Sequence, residues 1–102
     1  MNFIFIYITN PTKKETRKIA RHLLKKKLIA CANIFPINSL YWWKSEIADK
    51  KEFVLIAKTI KGNFKKVKKE VEKIHSYVIP CIIRIPVSSN EKYNNWLAGV
   101  IK

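Results

Sequence analysis

Tyr41-Trp42-Trp43 constrains the fold more than any other stretch. It follows Cys31-Ala32-Asn33-Ile34-Phe35-Pro36-Ile37, a run of small and β-branched residues that reads as a strand. Proline has no N–H for a sheet ladder, so Pro36 is expected to interrupt that strand at a bulge, an end or an edge. The strand then resumes from Ser39 to Trp43. Side chains alternate along a strand, so three adjacent aromatics cover both of its faces. A chain of 102 residues forms one domain, residues 1–102, and so small a core cannot enclose all three rings. At least one of them is expected to meet another chain or a ligand.

The flanking segments supply a sheet. Asn2 to Thr9 alternates Phe3, Phe5 and Tyr7 with Ile4, Ile6 and Ile8. A strand apolar on both faces belongs in the middle of a sheet covered on both sides. Phe53-Val54-Leu55-Ile56-Ala57 reads the same way within a strand Glu52–Ile60, after a turn at residues 47–51. Cys81 to Val87 is a further strand, and Pro80 and Pro86 at its ends suit an edge.

Helices are written between the strands. Thr12-Lys13-Lys14-Glu15 has capping-box form, with Thr12 as N-cap and Glu15 reaching back. Ile19, Ala20, Leu23 and Leu24 then form a stripe at helical spacing, as do Phe64, Val67, Val71 and Ile74 after Asn63, the expected second N-cap. His75 to Pro80 reads as an extended, mobile linker. Asn90 caps a last helix with Tyr93, Trp96, Leu97, Val100 and Ile101 on one side. The order is β-α-β-β-α-β plus a terminal helix, an α+β ferredoxin-like sandwich. Two helices cover one sheet face, and packing between subunits is the simplest cover for the other.

The landmarks resemble the CutA family of divalent-cation tolerance proteins over nearly the whole chain. They are Thr9-Asn10-Pro11, Leu28 to Ile34, Ser39 to Ile47, Ile56-Ala57-Lys58-Thr59, His75 to Pro80, and Tyr93 with Trp96. The resemblance implies a PII-like homotrimer, no catalytic activity, and a link to tolerance of copper and other divalent metals. It implies Cu(II) or another divalent cation held weakly, with His75 as the one metal ligand. Tyr41, Trp42, Trp43, Lys44, Glu46, Lys58, Tyr77 and Trp96 become the expected inter-subunit or cleft residues. The chain departs from the family in three places: Val78 replaces a usual Glu, Ser45 a usual Gly, and Ile8 and Ile74 stand where some bacterial members carry Cys and the first of two His.

Composition limits the alternatives. Only His22, His75, Cys31 and Cys81 offer imidazole nitrogen or thiol sulfur to a metal, at no recognised spacing. The ferredoxin-like order puts the two cysteines on opposite edge strands, about 14 Å apart and too far for a disulfide. No phosphate-cradling Gly loop, G-x-S-x-G or paired carboxylate is present. Glu46, Asp49 and Glu52 read as the solubilising charges of an exposed turn. No run approaches a membrane span, and Phe3–Ile8 is too short for a secretion signal, so a cytoplasmic protein with reduced thiols is expected.

The net charge of +14 comes mostly from lysine, and abundant Ile and Asn beside it point to codon bias. An RRM-like RNA-binding module has the same element order, but the glycines and the second aromatic of its RNP1 motif are missing. Nucleic-acid contact through lysine-rich helices would be non-specific. A PII-like sensor taking a small anion near Tyr41, Trp43, Lys44, Lys58 and Tyr77 is the third reading.

Overall fold

The structure is a computed structural model and describes residues 2–101. Four strands form one antiparallel sheet, β1 (Asn2–Asn10), β2 (Cys31–Trp43), β3 (Glu46–Ile60) and β4 (Ile82–Ser88), in the order β2-β3-β1-β4. Helices α1 (Lys13–Lys25) and α2 (Phe64–Ile74) lie between them in the chain, a short 3₁₀ turn (Lys61–Asn63) leads into α2, and α3 (Glu91–Ile101) ends the described chain. This is the ferredoxin-like arrangement, with β1 and β3 central as their two-sided apolar patterns require.

The main core lies between the sheet and α1 and α2. Ile4, Ile6 and Ile8 from β1 and Leu55 and Ala57 from β3 meet Ile19 and Leu23 of α1 and Val67 and Val71 of α2. Each fully buried Ile or Leu contributes about 1.5–3 kcal/mol through removal from water. The second sheet face is partly covered from within the chain. Helix α3 lays Leu97 against Phe3 and Ala30, with Phe5, Ile60, Val87 and Tyr93 around them. Packing between subunits is the simplest cover expected for this face; α3 takes part of that role, while Phe35, Ile83 and Ile85 on the same face stay exposed.

Several local expectations change. Strand β2 runs unbroken through Pro36, which sits opposite Phe53. An edge strand leaves alternate N–H groups unpaired, so the ladder tolerates a proline there. Pro86 lies within the other edge strand, opposite Ile4. The turn is not at residues 47–51. Trp43 pairs with Glu46, and Lys44 and Ser45 form a two-residue loop with φ of 48° and 67°, the type I′ pattern that follows the twist of a hairpin. The longer hairpin rises past the helices, and the chain measures 45 × 24 × 21 Å.

The helix ends are satisfied in unexpected ways. Thr12 caps α1 by accepting from the Glu15 N–H at 3.1 Å, but the Glu15 carboxylate turns away to Ser76. Helix α1 closes in a Schellman motif, with Leu28 N–H donating to the Leu23 carbonyl and Lys27 N–H to that of Leu24. Lys27 takes the left-handed position, φ 58°, that glycine usually fills. Asn63 makes no side-chain cap. It is buried and donates to the Leu28 carbonyl and the Thr59 hydroxyl, tying the 3₁₀ turn to the end of α1.

Candidate functional site

The polar groups that converge most closely lie where β1 ends, at the root of the β2–β3 hairpin. His75 leaves the end of α2 with its side chain fully buried. Its Nε2–H donates to the Thr9 carbonyl at 2.8 Å, and its Nδ1 accepts from the Tyr77 N–H at 3.0 Å. The two roles select the neutral tautomer protonated on Nε2. The Tyr77 ring stacks obliquely on the imidazole, with centroids 4.8 Å apart. Its hydroxyl donates to Glu52 Oε2 at 2.6 Å. Glu15 Oε2 accepts from both the N–H and the hydroxyl of Ser76, and stands 3.7 Å from His75 Nδ1. Residues 75–77 are therefore pinned to β1, β3 and α1, and the expected mobile linker is corrected.

Burial sets the electrostatics here. Tyr77 ionises well above the ordinary phenol range, first because it is desolvated and then because a phenolate would face Glu52. Burial also pushes the Cys81 thiol up, against a smaller opposite effect from its hydrogen bond to Thr9. A thiol so held is a poor nucleophile. Glu52 is only 4% exposed, so it is a fixed acceptor for Tyr77 and not one of the solubilising charges of a turn. Sequence spacing held no sign of this, because 25 residues separate the two partners.

The expected site residues divide into separate groups. Tyr41 is half-buried on the same sheet face as Glu52 and close enough to Tyr77 to influence its ionisation. Trp43, Lys44 and Glu46 stand at the hairpin tip, with Lys44 Nζ 6.0 Å from the centre of the Trp43 ring. Trp42 points to the opposite face and is 73% exposed. Lys58 is not with them. It lies six residues along β3 from Glu52, about 20 Å away, over the rings of Phe5 and Tyr93, and donates to the Tyr93 hydroxyl at 3.3 Å. Trp96 packs on Tyr93 in that second group, with ring centres 5.5 Å apart.

A divalent cation needs several free donors converging on one point. Both nitrogens of His75 are engaged, and among the described residues no three His, Cys, Asp or Glu side chains converge. His22 is spent on Glu70 at 2.8 Å, bridging α1 and α2. The residues of one chain do not fit a resident divalent cation.

Comparison with known proteins places this architecture. The family model for the CutA1 divalent ion tolerance protein matches residues 4–100. The divalent-cation tolerance protein CutA of Archaeoglobus fulgidus is 47% identical over 99 residues, which cover 96% of this chain and 97% of that protein. The CutA of Thermotoga maritima is 42% identical over 92% of this chain and 94% of its own. Among solved structures, the Archaeoglobus fulgidus protein, described as a periplasmic divalent cation tolerance protein, superposes with a TM-score of 0.96 at 42% identity, covering 98% of this chain and 99% of that one. CutA1 from Pyrococcus horikoshii superposes at 0.93 with 37% identity, covering 97% and 98%. The family model over residues 4–100 and these likenesses over nearly the whole chain agree: the chain belongs to the CutA family of divalent-cation tolerance proteins.

Proposed function

We propose that this CutA protein acts in divalent-cation tolerance as a non-catalytic homotrimer, meeting metal or a small anion in clefts between subunits. The observation that carries the reading is the apolar hairpin. Leu40, Trp42 and Ile47 are 71%, 73% and 63% exposed on one face, and Trp43 is exposed on the other. Phe35, Ile83 and Ile85 extend the apolar surface across the sheet. An apolar surface of this extent is normally covered by another protein, and closed symmetry lets identical copies cover it without leaving a free edge.

The metal enters this reading weakly. The engaged His75 leaves no complete donor set in one chain, so Cu(II) would need donors from more than one subunit. The non-catalytic part rests on the polar cluster, whose His75, Tyr77, Glu52 and Glu15 are committed to one another. The proposed compartment is the cytoplasm, where reducing conditions keep free cysteines such as Cys31 and Cys81 as thiols. Among the described residues no helix is long and apolar enough to cross a membrane.

Light scattering coupled to gel filtration tests the assembly. The expected mass is three times the 12.0 kDa of the chain, and Trp42→Ala and Trp43→Ala are expected to shift it downward on dilution. A monomer at micromolar concentration would sink the proposal. Calorimetry with Cu(II) on metal-free protein tests the second part, where sub-micromolar, stoichiometric binding would contradict it.

A further inference from the structure

Most of the basic residues of this protein lie on one face. Residues 13–27 and 61–74 hold fourteen of the twenty-one Lys and Arg but only three of the seven acidic residues. They correspond to α1 with its closing turn and to the 3₁₀ turn with α2, and all fourteen basic residues are exposed. Codon bias accounts for many lysines but not for their concentration on the outer side of one layer. Between the end of α1 and the outer side of α2 is a groove of about 390 Å³, lined by Lys26, Leu28, Lys66, Lys69, Glu70 and Lys73. Glu70 is taken up by His22, Lys26 and Lys73. Lys66 and Lys69 have no carboxylate within 4 Å among the described residues.

We propose that the outer helical face docks the phosphodiester backbone of duplex nucleic acid, centred on this groove, without reading its sequence. Lysine ammonium groups are point charges on flexible stems, suited to phosphate oxygens at variable positions. Helix α1 is about 20 Å long, over which a duplex presents about a dozen phosphate charges. The single aromatic of the two helices, Phe64, is half-buried beneath Arg84, so no platform for stacking unpaired bases is offered. An anionic membrane fits less well. Among the described residues Leu24 is the one large hydrophobic exposed on α1 and α2, so this layer lacks the apolar face with which an amphipathic helix inserts into a membrane interface. The surface lies on the opposite side of the sheet from Phe35, Ile83 and Ile85.

The test is fluorescence anisotropy of the full chain with a labelled random-sequence DNA duplex of about 20 base pairs, over a range of potassium chloride concentrations. Log affinity is expected to fall linearly with log salt. Lys66→Gln with Lys69→Gln should lower the slope by about 2 and weaken binding about tenfold or more at 0.1 M salt. Lys50→Gln with Lys51→Gln, on the hairpin, should change neither. Circular dichroism of each variant establishes that it is folded, and Lys18→Gln with Arg21→Gln replaces the first pair if it is not. Absence of binding at low salt, a flat salt dependence, equal loss in the hairpin variant, or binding to vesicles containing phosphatidylserine without binding to duplex would overturn the proposal. So would a preference of more than tenfold among duplex sequences.

Discussion

The buried imidazole of His75 donates to the main-chain carbonyl of Thr9 at 2.8 Å, joining the end of α2 to the end of β1 across 66 positions of sequence. The same ring accepts from the Tyr77 N–H. This histidine locks the return of the chain from α2 toward β4, and it does so in the neutral form.

His75→Ala is therefore expected to destabilise the protein by about 2–4 kcal/mol, from two lost hydrogen bonds and the space left by a buried ring. The loss should be the same in metal-free and copper-loaded samples when measured by urea unfolding. A loss seen only with copper present would make His75 a metal ligand. Nitrogen NMR of the ring is expected to show Nδ1 unprotonated at neutral pH.

Tyr77→Phe removes the described hydrogen-bond donor of a nearly buried carboxylate, Glu52. The expected cost is about 1.5–3 kcal/mol, the range for a hydrogen bond to a charged group. Glu52→Gln should cost less, because a neutral amide still accepts from the phenol. Tyr77 binds its proton more tightly folded than unfolded. Its contribution is thus complete below about pH 10 and declines as pH rises above that value. Ultraviolet titration should find one tyrosine that ionises last, and Glu52→Gln should lower the pH of that ionisation while burial still holds it above the ordinary phenol range.

Glu70 shows the opposite sign. Its hydrogen bond to His22, with Lys73 and Lys26 beside it, lowers its pKa to about 2. Its contribution is full above the ordinary carboxylate range near 4.5 and is lost as pH falls toward 2. Urea midpoints measured between pH 5 and 2 should fall less steeply in Glu70→Gln than in the parent. Parallel curves would mean that the His22–Glu70 bridge is not populated in solution.

Ser45 holds a left-handed conformation, φ 67°, at the second position of the hairpin turn. A side chain there costs about 1–2 kcal/mol, partly offset by the greater freedom glycine loses on folding. Ser45→Gly is expected to stabilise the protein by about 0.5–1 kcal/mol in thermal or urea unfolding. No gain would indicate that contacts of Ser45 in the assembled protein outweigh the backbone cost.

Periodicity carried the secondary structure because it is a local property. The two-sided apolar pattern of Phe3–Ile8 and Phe53–Ala57 placed β1 and β3 at the centre, and the stripes at Ile19–Leu23 and Val67–Val71 became the buried helix faces. Thr12 capped as its side chain dictates. What lay beyond the sequence depended on partners distant along the chain. Glu15 had a nearby capping role open to it, yet it was drawn to Ser76, 61 residues away. Asn63 left its cap for Leu28 and Thr59. Glu52 read as an exposed turn charge until hairpin pairing moved the turn to Lys44-Ser45 and left it deep in the ladder beside Tyr77. His75 read as a free ligand until packing brought it the Thr9 carbonyl. A polar side chain has several bonding options of similar energy in any local segment. Only the tertiary fold, which decides which of its groups lose water, selects among them.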